Sequence, residues 1–347
     1  MAGDPRDICF ATFNLYNLQL PDIPWRQGKR YSVEEYGAKT QWSASLLKAM
    51  DADVIAFQEL WSPQCLRDLF AEAGLADEYE LAFIRDSGWY DIAVAAAVRK
   101  PWEIRQSTVH KTFPEGFALR KRDIDSHNAS EDEDDDIEVK IDKFSRSVLQ
   151  LSVGHSERDE VPAIDAFAVH LKSKLATRLD REEREDPRTR PHSAALGSAL
   201  STIRRTAEAA ALRMILNQVM RETDRPVAVL GDYNDGQLSN TLAIVSEQPS
   251  LRLFTDSRRG GRSDRGLYVA GTLQELRSLR DVYYTHIHEG VRETLDHVLV
   301  SEQFYDFSRN RVWSFREMRV WNDHVEDEDP ATSDHGVVSA RFDHNPA

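Results

Sequence analysis

Short apolar runs of β type recur from one end of this 347-residue chain to the other, and they limit its fold more than any other feature. Eight can be read, at 8–15, 53–57, 92–98, 147–153, 163–171, 226–230, 294–300 and 337–342. Their lengths and their content of Val, Ile and Phe fit strands. Only two stretches carry a helical stripe. In 34–50, Tyr36, Trp42, Leu46, Leu47 and Met50 fall on one face, and in 201–221, Leu212, Ile215, Leu216 and Val219 do the same. Many strands and few helices predict sheets packed on each other with helices outside, in a single domain over 1–347. No internal repeat is present.

Three polar stretches read as loop insertions, near 120–142, 172–200 and 256–268. The first contains six consecutive acids at 131–136, a solvated run that lacks the glycine and spaced ligands of a calcium loop. The second is mixed in charge and carries Pro187 and Pro191. The third includes Arg258, Arg259, Arg262 and Arg265 among glycines, which suits either an ordinary surface loop or a contact to phosphates.

Composition narrows the function. With 41% hydrophobic and 30% charged residues, the chain can fill a core and keep a solvated surface. Its 44 basic and 59 acidic residues leave a net charge of −15. Such a surface repels phosphate backbones at long range and argues against a passive, tight nucleic-acid binder. It leaves room for an enzyme whose acids hold metal ions, because bound cations invert the local sign. Cys9 and Cys65 sit among apolar residues and are expected to be reduced core thiols, not a disulfide or a metal pair. No apolar run approaches the roughly 18 residues of a membrane span, and the N-terminus lacks the pattern of a signal peptide. A cytoplasmic protein is expected.

Six of the apolar runs deliver polar groups at their ends. Residues 10–17 (Phe-Ala-Thr-Phe-Asn-Leu-Tyr-Asn) carry Asn14, and 53–59 run directly onto Glu59. The run at 168–174 carries His170, followed by Lys172. Residues 227–235 place Asp232 and Asn234 two apart, on one side if the backbone stays extended. Asp296 lies within 294–300, and Asp334 and His335 open the last run. Hydrolysis of a phosphate ester needs a metal to polarise phosphoryl oxygens, a group to prepare water, and donors for the transition-state charge. Carboxylates and amides at strand ends are what Mg2+ requires.

In their order and wording these segments resemble the motif series of the endonuclease/exonuclease/phosphatase superfamily, and they span the chain from Asn14 to His335. The resemblance implies an α/β fold, a four-layer sandwich of two packed mixed β-sheets flanked by helices, with the site where strand ends meet. It implies that Glu59, Asn14 and Asp334 surround a metal, Mg2+ or Mn2+. Asp232 and Asn234 match the pair that orients the attacking water and a phosphoryl oxygen. His335 matches a histidine paired with a buried carboxylate, here Asp296, and acts as general base or as a cationic phosphate ligand, with Asp232 as the alternative group to take the proton. His170 matches a histidine that helps the leaving oxygen. Arg146 resembles an arginine that meets phosphate, and Lys172 is a further candidate for substrate contact.

Each residue also has a plainer reading. Asp296 alone would be a satisfied structural acid, and its pairing with His335 is what favours chemistry. His297 must face the other way and is left structural. His110, His127, His155, His192, His286, His288, His324 and His344 have no motif context and are expected at the surface or in packing. Asp235 is a candidate cap. The function expected is a metal-dependent phosphodiesterase, a nuclease on DNA ahead of RNA, with no membrane involved and no protein partner indicated. The alternatives are a phosphoesterase for a small nucleotide or other phosphoester, and an inactive scaffold. Every position the motifs require is filled, which counts against the scaffold.

Overall fold

The computed structural model describes residues 4–25, 28–85, 92–121, 137–221, 223–249, 251, 266–278, 283–327 and 329–347. The acidic run 131–136 and the four arginines of 258–265 lie outside the described residues. Six strands form the first sheet: β1 (Ile8–Leu18), β2 (Val54–Leu60), β3 (Tyr79–Phe83), β4 (Ala93–Arg99), β15 (Trp313–Trp321) and β16 (Val337–His344). Their spatial order is β15-β16-β1-β2-β4-β3. Six others form the second: β5 (Trp102–Thr112), β8 (Lys143–His155), β9 (Ile164–His170), β10 (Val227–Asp232), β11 (Tyr268–Val269) and β14 (Asp296–Val300), in the order β11-β14-β10-β9-β8-β5. Both are mixed: β1–β2 and β9–β10 pair in parallel, the other neighbours antiparallel. Two ribbons complete the strands, β6 (Leu119–Lys121) with β7 (Ile137–Val139), and β12 (His286–His288) with β13 (Val291–Glu293).

The period-two alternation of the strands sorts the core into layers. Ile8 and Phe10 of β1 and Val54 and Ala56 of β2 face inward, meeting Leu149 and Leu151 of β8, Ala166 and Ala168 of β9 and Leu230 of β10. The alternate residues Cys9, Ala11 and Phe13 face outward, under α1 (Val33–Met50) and α2 (Pro63–Glu72). On the other side, Phe167, Val169, Val227 and Val229 lie under α4 (Ser193–Met220) and α5 (Asn240–Ser246). The result is the expected α/β sandwich of two packed sheets with helices outside. Two shorter helices, α3 (Arg181–Glu185) and α6 (Ala270–Glu275), decorate it. Among the described residues no helix is long and apolar enough to cross a membrane.

Helix α1 starts where its sequence says it should. Ser32 accepts the Glu35 N–H and Glu35 accepts the Ser32 N–H, a reciprocal cap. The segment 172–200 departs from the loop reading. It contains α3 and the first two turns of α4, because Ser-Ala-Ala-Leu-Gly-Ser-Ala-Leu has the propensity to continue the helix upstream of 201. Helix α2, capped by Ser62 with Pro63 in its first turn, had no counterpart in the sequence reading.

Candidate active site

Register assembles the first part of the site. Asp232 ends β10 and pairs with His170, the last residue of β9, while on its other side it lies opposite Asp296, the first residue of β14. Residues directly opposite one another share a face, so three polar side chains line up in one row. Gly231, just before, allows the strands to approach: a Cβ there would meet the Val169 carbonyl oxygen at 2.1 Å.

Asp232 is the hub. Its Oδ2 accepts from Asn14 Nδ2 across the sandwich at 3.2 Å and from Asn234 Nδ2 at 3.1 Å, and lies 3.3 Å from His170 Nε2. Its Oδ1 accepts the Asn234 N–H at 2.7 Å. Asn234 has a left-handed φ of +53°, which folds the loop back so that the amide also reaches the Leu171 carbonyl at 3.1 Å. Burial raises the Asp232 carboxyl, but His335, His170 and the Asn234 N–H together hold it well below the usual carboxylate range. Burial lowers His170, helped by the Arg146 charge, against the pull of Asp232. With 2% exposure, His170 serves Asp232 before it can serve any ligand.

His335 and Asp296 form the anticipated pair, Nδ1 to Oδ2 at 2.8 Å, both buried. Burial alone would lower His335, but Asp296, Asp232 and Asp334 outweigh it and raise the imidazole well above its ordinary value. Burial pushes Asp296 up to about 6 against the opposing charge of His335. Thr285 Oγ1 accepts both the Leu295 and Asp296 N–H groups, which fixes the start of β14. Ser333 Oγ donates to the Asn14 carbonyl at 2.8 Å and accepts the His335 N–H at 3.1 Å, tying the last loop to β1.

Glu59 lies near the end of β2 and Asp334 just before β16. Irregularities in the β1–β2 pairing between Asn14 and Leu18, and positive φ at Tyr16, Asn17 and Glu59, turn Glu59 out of the plain strand alternation. Glu59 Oε2 accepts the Asn17 N–H at 3.0 Å. Asp334 Oδ1 is buried without a hydrogen-bond partner. Between them sits Lys39, buried, donating to the Thr332 carbonyl and lying 5.2 Å over the Tyr16 ring. Burial lowers its ammonium to about 8, while Asp334 and Glu59 oppose that shift. Sequence reasoning missed Lys39, Thr285 and Ser333; each acts across more than nine residues, and no local pattern marks them.

Among the described residues, two sets of donors have the spacing of cation ligands: Asp232 with Asp296 and His335, and His286 with Asp334 and His335. His286, expected as a surface or packing residue, is the clearest departure. It lies on β12, forms a backbone bridge to His335, and its ring centroid is 4.9 Å from that of His335. Burial, then the like charge of His335, lowers it to about 4. Of the other histidines, His155 reaches the Pro5 carbonyl, His297 the Asp235 carbonyl and His324 the His335 carbonyl, and His127 lies outside the described residues.

The substrate-side candidates are placed less directly. Arg146 Nη1 donates to the Leu171 carbonyl at 3.1 Å, beside His170. The Lys172 ammonium turns to its own loop, 3.3 Å from the Ser173 and Leu175 carbonyls. Asp235 engages Arg205 and Thr241 instead of a helix end. A groove of about 760 Å³ opens beside Asp334 and Ser333, lined by the partly buried Tyr16, Ile287 and Val325 and by the exposed Glu289, Glu326 and Asp329. Arg292, in the same lining, is engaged by Glu326 and stacks on Tyr284.

The profile of the Endonuclease/Exonuclease/phosphatase family matches residues 11–335. No curated protein sequence matches the chain. Among solved structures, the endonuclease/exonuclease/phosphatase from Bacteroides vulgatus is similar with a TM-score of 0.56 at 15% identity, over 98% of this chain and 99% of that one. A D. rerio TDP2 humanized by 14 mutations gives 0.53 at 14% identity, over 97% and 99%. D. rerio TDP2 complexed with a single-strand DNA product gives 0.52 at 13% identity, over the same shares. At such identities the likeness speaks for the fold.

Proposed function

This chain belongs to the endonuclease/exonuclease/phosphatase family, and from that premise we propose that it hydrolyses phosphodiesters in nucleic acid, DNA ahead of RNA. Members of the family are typically divalent-metal-dependent phosphoester hydrolases. The observation that carries the reading is the junction of the two sheets, where Asn14, His170 and Asn234 converge on Asp232 beside the buried Asp296–His335 pair. Such a constellation has no structural need that simpler residues could not meet, and buried charges are otherwise costly.

In this reading Glu59, Asn14 and Asp334 hold the ion, Mg2+ or Mn2+. The oxygen donors suit it, and the unpartnered buried Oδ1 of Asp334 supports the fit. When bound, the ion withdraws charge from the phosphoryl oxygens. The protein's own groups do the rest. Asp232, its orientation fixed by four contacts, orients the attacking water. His335, its Nδ1 committed to Asp296, presents Nε2 to the phosphoryl group. Asn234 turns one amide hydrogen from Asp232 or the Leu171 carbonyl to an oxygen that gains charge, His170 steadies Asp232, and Arg146 and Lys172 supply positive charge at the edge. The water oxygen bonds to phosphorus as the ester bond breaks, and the leaving oxygen takes the proton. The free, buried Cys9 and Cys65 support a reducing compartment and hence the cytoplasm.

A second reading, a small phosphodiester as substrate, is favoured by one observation: the groove beside Asp334 is lined by exposed acids, which suits an uncharged or cationic group better than a run of phosphates. The test is hydrolysis of plasmid, linear DNA, RNA and a bis-aryl phosphodiester with Mg2+ or Mn2+. Chelator should abolish it, and Glu59→Gln should lower turnover about 10²-fold or more, or raise the Mg2+ requirement, because one anionic ligand is gone. Undiminished turnover in Glu59→Gln removes Glu59 from the metal site, and no hydrolysis of any substrate by the wild type removes the function.

A further inference from the structure

Beside the Asp232 hub, His286, which the proposed reaction does not use, joins Asp334 and His335 in a donor set. One ligand atom each from His286, Asp334 and His335 lie within 4.8 Å of one another. Ligands bonded at about 2.0–2.2 Å around one tetrahedral ion stand roughly 3–4 Å apart, so small side-chain adjustments would close the set on a cation. Two atoms here are in want of a partner: Nδ1 of His286 and Oδ1 of Asp334 are both buried and make no hydrogen bond. Each such atom is costly if it stays unsatisfied. The third member is already oriented, since Asp296 accepts from His335 Nδ1 at 2.8 Å and so directs Nε2 outward. A carboxylate behind a histidine is the arrangement that fixes metal-bound imidazoles.

The chemistry of the set differs from that of Glu59 and Asn14. Two imidazoles and one carboxylate prefer borderline ions such as Zn2+ or Co2+, whereas Mg2+ keeps to oxygen. We propose that His286, Asp334 and His335 form an inhibitory site for a borderline transition-metal ion, Zn2+ by its chemistry. Occupation withdraws Nε2 of His335 and the carboxylate of Asp334 from hydrolysis. The inhibitory consequence rests on the functional reading above; the binding site itself does not. His286 comes from the β12–β13 ribbon, so it can be changed without touching the sheets.

The test is titration of the metal-free protein with Co2+ alone, since Mg2+ would compete for Asp334, following visible absorption, with Zn2+ then displacing the Co2+. The wild type should take up one Co2+ with the intense absorption of a nitrogen-ligated, low-coordinate ion. His288→Ala, on the same ribbon but outside the set, should match it. His286→Ala and His286→Gln should both lose the band and weaken Zn2+ binding at least about tenfold, with unchanged circular dichroism. Zn2+ should slow Mg2+-supported hydrolysis in the wild type and not in the His286 variants. Equal Co2+ spectra and Zn2+ affinities in wild type and both His286 variants overturn the site, as does a wild type that shows no intense Co2+ band. A band that depends on His286 in a protein that hydrolyses no phosphodiester upholds the site and removes the functional reading instead.

Discussion

At the scale of single residues, the pair His335–Asp296 makes the sharpest demand. A histidine that must present one nitrogen to a phosphoryl group needs its other nitrogen fixed, and Asp296 does this at 2.8 Å from a fully buried position. Asp296→Asn keeps the volume but removes the charge that holds the imidazolium and the tautomer it selects. Turnover should fall roughly 10²–10⁴-fold with the fold intact. His335→Ala should lose as much or more. The double variant should be little worse than His335→Ala alone, since residues acting as a unit are not additive. Steady-state turnover of one small phosphodiester by all four proteins measures this, and a double loss equal to the product of the single losses would show two independent residues.

At the scale of elements, helix α4 does more than cover the second sheet. Glu208, buried within it, accepts the Ser145 N–H at 2.7 Å and the Lys172 N–H at 2.8 Å, and takes Arg204 at 3.2 Å. It thereby fixes the backbone next to Arg146 at the start of β8 and just past His170 at the end of β9. Glu208→Ala strands two backbone donors at about 1–3 kcal/mol each, so stability should drop by roughly 2–6 kcal/mol in urea unfolding. Turnover should fall as well, and Glu208→Gln, which can still accept, should recover part of both. A wild-type urea midpoint and turnover in Glu208→Ala would show that the contact carries nothing. The elements also explain what the sequence could reveal. The eight apolar runs are β1, β2, β4, β8, β9, β10, β14 and β16, the interior strands of the two sheets. The strands that escaped notice, β3, β5, β11 and β15, are the four edges, where one side meets solvent or the strand is too short to leave a run. The candidate site follows the same logic. Asn14, His170, Asp232 and Asp296 ride on interior strands and were legible from the residues that follow apolar runs. His286 and Thr285 stand at a three-residue ribbon and reach His335 and Asp296 only through tertiary contacts, so no local pattern announces them.

At the scale of the whole molecule, charge decides which substrate can approach. A net charge of −15 and a groove lined by Glu289, Glu326 and Asp329 oppose a polyanion, and a Debye length of about 10 Å at 0.1 M salt lets that opposition act before contact. A nuclease of this composition therefore needs a local concentration of positive charge to guide the strand. Along the sequence, one run with few compensating acids is Arg258, Arg259, Arg262 and Arg265, with only Asp264 among them. If these arginines neutralise phosphates, each contact releases counterions, and the logarithm of affinity falls with the logarithm of salt at a slope of roughly 0.9 per phosphate on duplex DNA. Replacing all four with Ala should then raise KM for long DNA and flatten its salt dependence by up to about four such steps. Turnover of a bis-aryl phosphodiester, which carries a single charge, should be unchanged. The measurement is KM for both substrates across a salt series, in wild type and quadruple variant. A selective effect on DNA upholds a polymeric substrate. Equal effects on both, or none on either, leave a strongly acidic protein with nothing in this run to hold a strand, and the small phosphodiester becomes the better reading.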